Sequence, residues 1–144
     1  MLLLVDWGFA AREGDKSFRV PKGTPFTMSQ KTLQYCLEES GDGYVYTAAD
    51  ELEAAAKSLL LILLPSLKRC IQQQVDGVSR HRRRETSADS LAVLKQCWED
   101  VLSATPVLAL CARCDYDGLV DWFVTNQLLF WRSHTEVDQS CSFG

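Results

Sequence analysis

The 144-residue sequence predicts a mainly α domain with one short N-terminal strand and a long irregular loop behind it. Three observations carry this expectation. Apolar residues recur at three- and four-residue spacing through most of the chain after residue 29. One continuous apolar run, "LLLV" at 2–5, is short enough and turn-bounded enough to read as a buried strand. Gly14, Pro21, Gly23 and Pro25 interrupt the charged stretch between them, which marks 11–25 as an exposed loop. Hydrophobic residues make up 47% of the chain and charged residues 24%, a globular balance rather than that of a disordered segment. A single domain of this length buries roughly 70% of its unfolded surface.

The elements follow in order. Leu33 and Leu37 at i, i+4 place a short helix over 29–40, closed by "GDG" at 41–43. Thr47 is a candidate N-cap for the strongest helix, 47–64, whose first turns carry Asp50, Glu51 and Glu53 where the helix dipole favours negative charge. Leucines and alanines cover most of its circumference, the pattern of a central helix. Pro65 bends or closes it, and "QQQ" at 72–74 reads as an exposed end. The polar, basic stretch 75–90 is expected as a surface loop. Ser87 or Asp89 then caps a helix over 90–104 carrying Leu91, Leu94, Trp98, Val101 and Leu102. Thr105-Pro106 breaks this helix and starts a short apolar one to about Cys114, and Asp115 leads into a last helix over 116–131. The expected division is one domain over 1–133 and a flexible tail over 134–144.

Charge and composition exclude several function classes. A net charge of −4 gives no general reason to expect a nucleic-acid partner. The longest apolar stretch, "SLLLILLP" at 58–65, falls far short of the ~20 residues that span a bilayer, so no membrane partner is expected. "MLLLV" lacks a basic leader region and is cut by Asp6, and the six cysteines are dispersed. Reduced thiols in a cytoplasmic or nuclear protein are therefore expected.

Two local motifs offer chemistry with a plainer alternative. "CARC" at 111–114 suits half a zinc site or a redox couple, yet it lacks further ligands at matching spacing and a βαβ context; structural thiols on a helix are the expectation. "RHRRRETS" at 80–87 suits a nuclear address, a nucleic-acid contact or a basophilic kinase acting on Thr86 or Ser87; a solvated loop is the expectation.

A third constellation is ordered along the chain. "VDWG" (5–8) is a strand followed by Asp-aromatic-Gly, the arrangement in which a carboxylate meets the metal that bridges nucleotide phosphates. "GTPFTMSQKTL" (23–33) keeps Gly23, Thr24, Pro25, Met28, Ser29 and Leu33 at the spacing of G-T-P-x-x-M-[AS]-P-E-x-L. "ADELEAAAKSLL" (49–60) is similar to the D-D-L-E-S-L helix start, and "DYDGLVDWF" (115–123) to D-Y-x-x-L-x-x-x-F. In this order the four stretches resemble the C-terminal lobe of the protein kinase superfamily, in its casein-kinase-like and fungal-type branches. The resemblance implies an ATP-dependent Ser/Thr phosphotransferase with Mg²⁺ and ATP as cofactors and a protein as substrate or partner. Asp6 would be the metal ligand and Gly8 the hinge of the activation segment. Residues 9–22 would be the activation loop, with Ser17 a phosphosite, and Gly23 and Thr24 would open the substrate-positioning loop. The helix over 47–64 would be the lobe's buried axis, with Glu51 at the position of its bracing aspartate.

The departures from the family pattern set a limit on activity. No glycine-rich loop, nucleotide-anchoring lysine or H-R-D catalytic loop occurs in these residues, and the catalytic base is missing with them. Gln30 and Lys31 stand where the family has Pro and Glu, so its usual buried ion pair to an arginine is lost. Trp7 replaces the usual Phe. The chain alone is thus expected to be inactive and to bind Mg²⁺-ATP poorly, as a truncated gene model, a decayed copy or a piece needing a separate partner. Uncovered apolar surface is expected near 1–10 and 52–64. The alternative is a non-catalytic helical interaction module, either a pseudokinase remnant or an unrelated adaptor.

Overall fold

The computed structural model describes residues 24–38, 43–81 and 86–126. Among these the architecture is helical and holds no strand: a 3-10 turn at Pro25–Thr27, then α1 (Gln30–Glu38), α2 (Ala48–Leu63), α3 (Pro65–His81), α4 (Thr86–Leu102), α5 (Val107–Ala112) and α6 (116–126). The mainly α expectation holds. The strand at 2–5, the loop at 11–23 and the tail at 134–144 lie outside the described residues.

The start of α2 follows its sequence signal closely. Thr47 Oγ1 accepts from the Asp50 backbone N–H at 3.3 Å, and Asp50 Oδ2 accepts in return from the Thr47 N–H at 3.0 Å, a reciprocal capping box. At the other end Leu64 caps the helix and Pro65 opens α3, where a proline needs no N–H partner.

The loop expected over 75–90 is corrected at 75–81 and 86–90, which are helical, while 82–85 lie outside the described residues. Residues 65–81 form one helix, and α4 begins at Thr86 rather than residue 90. Leu67, Ile71 and Val75 recur at i, i+4 and turn inward, with Ile71 buried, while Lys68, Arg69 and the glutamines face water. The polar residues of this stretch gather on one face of the helix.

The centre of the domain also differs from expectation. α4 is the shared wall, with α3 packed along it and α1 on it as well; α2 packs on α5. Leu94, Trp98 and Leu102 form the buried stripe of α4, and Trp98 and Leu102 are fully enclosed. α2 is apolar nearly all round but buried on one side only: Leu59 is 39% exposed and Ile62 73%. That uncovered surface lies within the expected 52–64.

α6 docks through Leu119 and Phe123, both in the same core as Trp98. Its start is set by Asp115, whose Oδ1 accepts from the Gly118 N–H at 2.9 Å. A Cβ at position 118 would lie 2.5 Å from Asp115 Oδ2 and 2.9 Å from Leu110 Cδ2. Gly118→Ala is therefore expected to lose the cap and cost about 1–3 kcal/mol. Gly77→Ala, in open space within α3, is expected to gain about 0.5–1 kcal/mol. Thermal melts of the two variants should move in opposite directions.

Candidate functional site

The segment that follows Gly23 is held against α2 and α4 by a buried polar lattice, assembled one residue at a time. Thr24 is extended, and Pro25–Thr27 makes the 3-10 turn that aims the Phe26 carbonyl at α4, where Trp98 Nε1 donates to it at 2.8 Å. Ser29 Oγ donates to Asp50 Oδ1 at 2.7 Å, so the carboxylate that caps α2 also anchors the segment. The Gln30 backbone N–H donates to Glu53 Oε1 at 2.8 Å, and Gln30 Nε2 donates to the Lys95 carbonyl at 2.9 Å. Thr32 Oγ1 donates to Tyr44 Oη at 3.0 Å.

At the centre stands Lys57, whose side chain is fully buried. Its ammonium donates to the Met28 carbonyl at 2.6 Å, to Gln30 Oε1 at 3.0 Å and to Glu53 Oε1 at 2.9 Å. Three N–H bonds thus meet three acceptors. The charge also lies 5.3 Å from the centre of the Trp98 ring. Burial pushes the Lys57 pKa below its ordinary value, and the Glu53 carboxylate opposes that shift. Among the described residues no buried side-chain nitrogen or oxygen lacks a partner.

Beside this lattice lies a cavity of about 140 Å³ lined by Thr24, Thr27, Tyr46, Glu51 and Ala54, with Ser29 and Asp50 also on its wall. Thr24 and Glu51, predicted from separate motifs, therefore meet at one place. The Asp50 carboxylate is committed to Ser29 and to Thr47. No histidine or cysteine lines the cavity, which offers hydroxyls and the Glu51 carboxylate for positioning.

The other predicted residues fall differently. Asp6, Gly8, Ser17 and Gly23 lie outside the described residues, as do the side chains of the basic stretch 80–87. Among the described residues no group of three or more His, Cys, Asp and Glu converges to hold a metal ion. Lys31 is exposed, its ammonium 5.5 Å from the centre of the Tyr44 ring. Gln30, at the family's proline position, instead joins the buried lattice.

The expected helical thiols of "CARC" hold for Cys111 on α5, whereas Cys114 lies past the helix end with φ 50°. Cys111 is buried and Cys114 half-buried, and both thiols are free. Burial, then the nearby Glu53 charge, pushes the Cys111 thiol up to about 11, which keeps it protonated and unreactive at neutral pH. Cys36 and Cys97 are free as well.

Sequence reasoning missed Lys57. Its signal was a lone cation inside "AAAKSLLLIL" with Glu53 one turn earlier, a placement that forces either an exposed break in the apolar face or a buried pair. No family model, curated protein or solved structure matches the chain.

Two outcomes test the lattice. Lys57→Met leaves the Met28 carbonyl without its donor and the buried Glu53 charge with the Gln30 N–H alone, and is expected to cost about 3–5 kcal/mol. In a double-mutant cycle with Glu53→Gln the two changes should couple by more than about 1 kcal/mol; additivity would show that the pair does not act as a unit. The second outcome concerns pH. Burial, with the Asp50 charge adding to it, pushes Tyr44 from 10.0 to about 12, the Thr32 hydrogen bond acting the other way. The folded state then keeps a proton that the unfolded chain has lost, so stability falls between about pH 10 and 12, by up to about 1.4 kcal/mol per unit. Lys57 acts in the opposite sense and only below its unfolded value of 10.5. Urea titrations across this range should show the fall, and Tyr44→Phe should remove it.

Proposed function

We propose that the chain is the C-terminal-lobe part of an ATP-dependent Ser/Thr protein-kinase-like domain, which holds a substrate-positioning loop and transfers no phosphoryl group by itself. The observation that carries this reading is the shared cavity of Thr24 and Glu51. The resemblance places both residues beside a catalytic loop, and they come from stretches 27 residues apart in the sequence. The docking of 28–30 on α2 supports it further, because a positioning loop must be rigid to orient a hydroxyl for transfer. Phosphoryl transfer depends on positioning and electrostatics from a base, a lysine and two metal ligands. Of these the chain's sequence offers Asp6 alone. Mg²⁺ and ATP therefore belong to the completed domain, and a protein is its substrate. A cytoplasmic or nuclear location is part of the same reading; among the described residues no helix is long and apolar enough to cross a membrane.

A second reading, a non-catalytic helical interaction module, is favoured by one observation. Gln30 and Lys31 replace the family's Pro-Glu, and Gln30 is built into the buried lattice while Lys31 faces solvent.

The test is phosphate incorporation into a Ser/Thr protein substrate from labelled ATP with Mg²⁺. The chain alone should give none above background. Joined behind a kinase N-lobe and an H-R-D-x-x-x-x-N loop, it should become active, and Asp6→Ala should then reduce the rate by roughly 10²–10³-fold. A folded fusion that binds Mg²⁺-ATP without transfer, or one indifferent to Asp6→Ala, would overturn the kinase reading in favour of the interaction module.

A further inference from the structure

The outward face of α6 (116–126) carries two adjacent ridges. Tyr116, Val120 and Val124 follow one another at four-residue spacing and are 56%, 60% and 67% exposed. One position over, Asp117 and Asp121 run beside them, also exposed. Leu119 and Phe123 are buried in the core from the same helix. α6 is thus apolar on two faces, and the core accounts for only one. Three large apolar side chains one turn apart form a continuous strip, unlike the scattered exposed aliphatics of an ordinary surface.

The charge beside the strip decides what fits it. A second copy of the chain packed ridge to ridge would bring its own Asp117 and Asp121 against the same carboxylates, on a protein whose net charge is already −4. An anionic lipid surface meets the same repulsion, since helices that lie on such membranes carry Lys and Arg beside their apolar face. A basic amphipathic helix meets none. Its own i, i+4 apolar ridge interdigitates with Tyr116, Val120 and Val124 at the crossing angle that four-residue ridges favour. Its lysines or arginines then fall beside Asp117 and Asp121.

We propose that α6 is a docking face for a basic amphipathic helix of a partner protein, which seats its apolar ridge on Tyr116, Val120 and Val124 and its cationic flank on Asp117 and Asp121. The ridge is about 12 Å long, which suits a small, rapidly exchanging contact rather than a permanent assembly. The docking face lies on a different helix from the Thr24–Glu51 cavity and requires no phosphoryl transfer.

The experiment uses the full chain and two synthetic helical peptides with leucines at i, i+4 and i+8, one flanked by lysines and the other by glutamates. Amide NMR shifts report where each binds, and titration reports affinity. The lysine peptide should perturb 116–125 and bind at least tenfold more tightly than the glutamate peptide. Val120→Glu should weaken it about tenfold or more, and Asp117→Lys/Asp121→Lys should reverse the preference. Val120 is exposed, so circular dichroism of Val120→Glu should match the parent; Val120→Ser serves if it does not. Four results would overturn the proposal: no binding, equal binding of the two peptides, shifts mapping elsewhere, or a face that instead binds anionic vesicles. Concentration-dependent dimerisation abolished by Val120→Glu would assign the face to a second copy and overturn it equally.

Discussion

A lysine ammonium enclosed on every side cannot be left half-satisfied, and in this fold that requirement is met from two directions. Glu53, one turn earlier on α2, supplies the counter-charge, while the Met28 carbonyl arrives from the segment ahead of α1 and Gln30 Oε1 from the first residue of α1. Desolvating an ammonium costs several kcal/mol, and only good geometry with every proton engaged offsets it. The path of residues 28–30 over α2 is therefore dictated by Lys57. Any displacement of that segment strands a charge in the core.

The same constraint reaches α4. Trp98 packs its ring under the Lys57 ammonium and reaches past it to the Phe26 carbonyl, so one side chain fills the core and fastens the turn at Pro25–Thr27. Gln30 adds a second tie to α4 at the Lys95 carbonyl. Asp50 does comparable service at the head of α2, where a single carboxylate accepts from Ser29, from the Thr47 backbone and from the Thr47 hydroxyl. Ser29 and Asp50, which stand on the wall of the cavity shared by Thr24 and Glu51, are joined by one of these bonds.

Much of this was legible in the residues. The Thr47 cap, the acidic first turn of α2, the apolar stripe of α4 and the break at Thr105-Pro106 each depend on a few neighbours, so local pattern revealed them. The extent of α3 was not legible, because the glutamines and basic residues of a solvent-facing stripe look like loop until a partner helix shows which side is inward. The centrality of α4 was equally hidden: α2 has the richer apolar composition, but composition cannot say how much of a helix finds a neighbour. Within the site, Thr24 and Glu51 were singled out by motif. Asp50 and Lys57 carry the geometry, and their roles depend on contacts 21 and 29 residues away in sequence.

The Trp98–Phe26 bond joins residues 72 apart, and that separation has a bearing on the order in which the domain assembles. Local helices and the α3–α4 pair close short loops and form early, whereas the 24–30 segment must wait for a framework that spans most of the described chain. Until it arrives, Lys57 remains hydrated, and the core has a wet side. The last stretch to dock is thus also the one whose departure readmits water to the interior, which makes amide exchange along 28–33 a gauge of how often that interior opens.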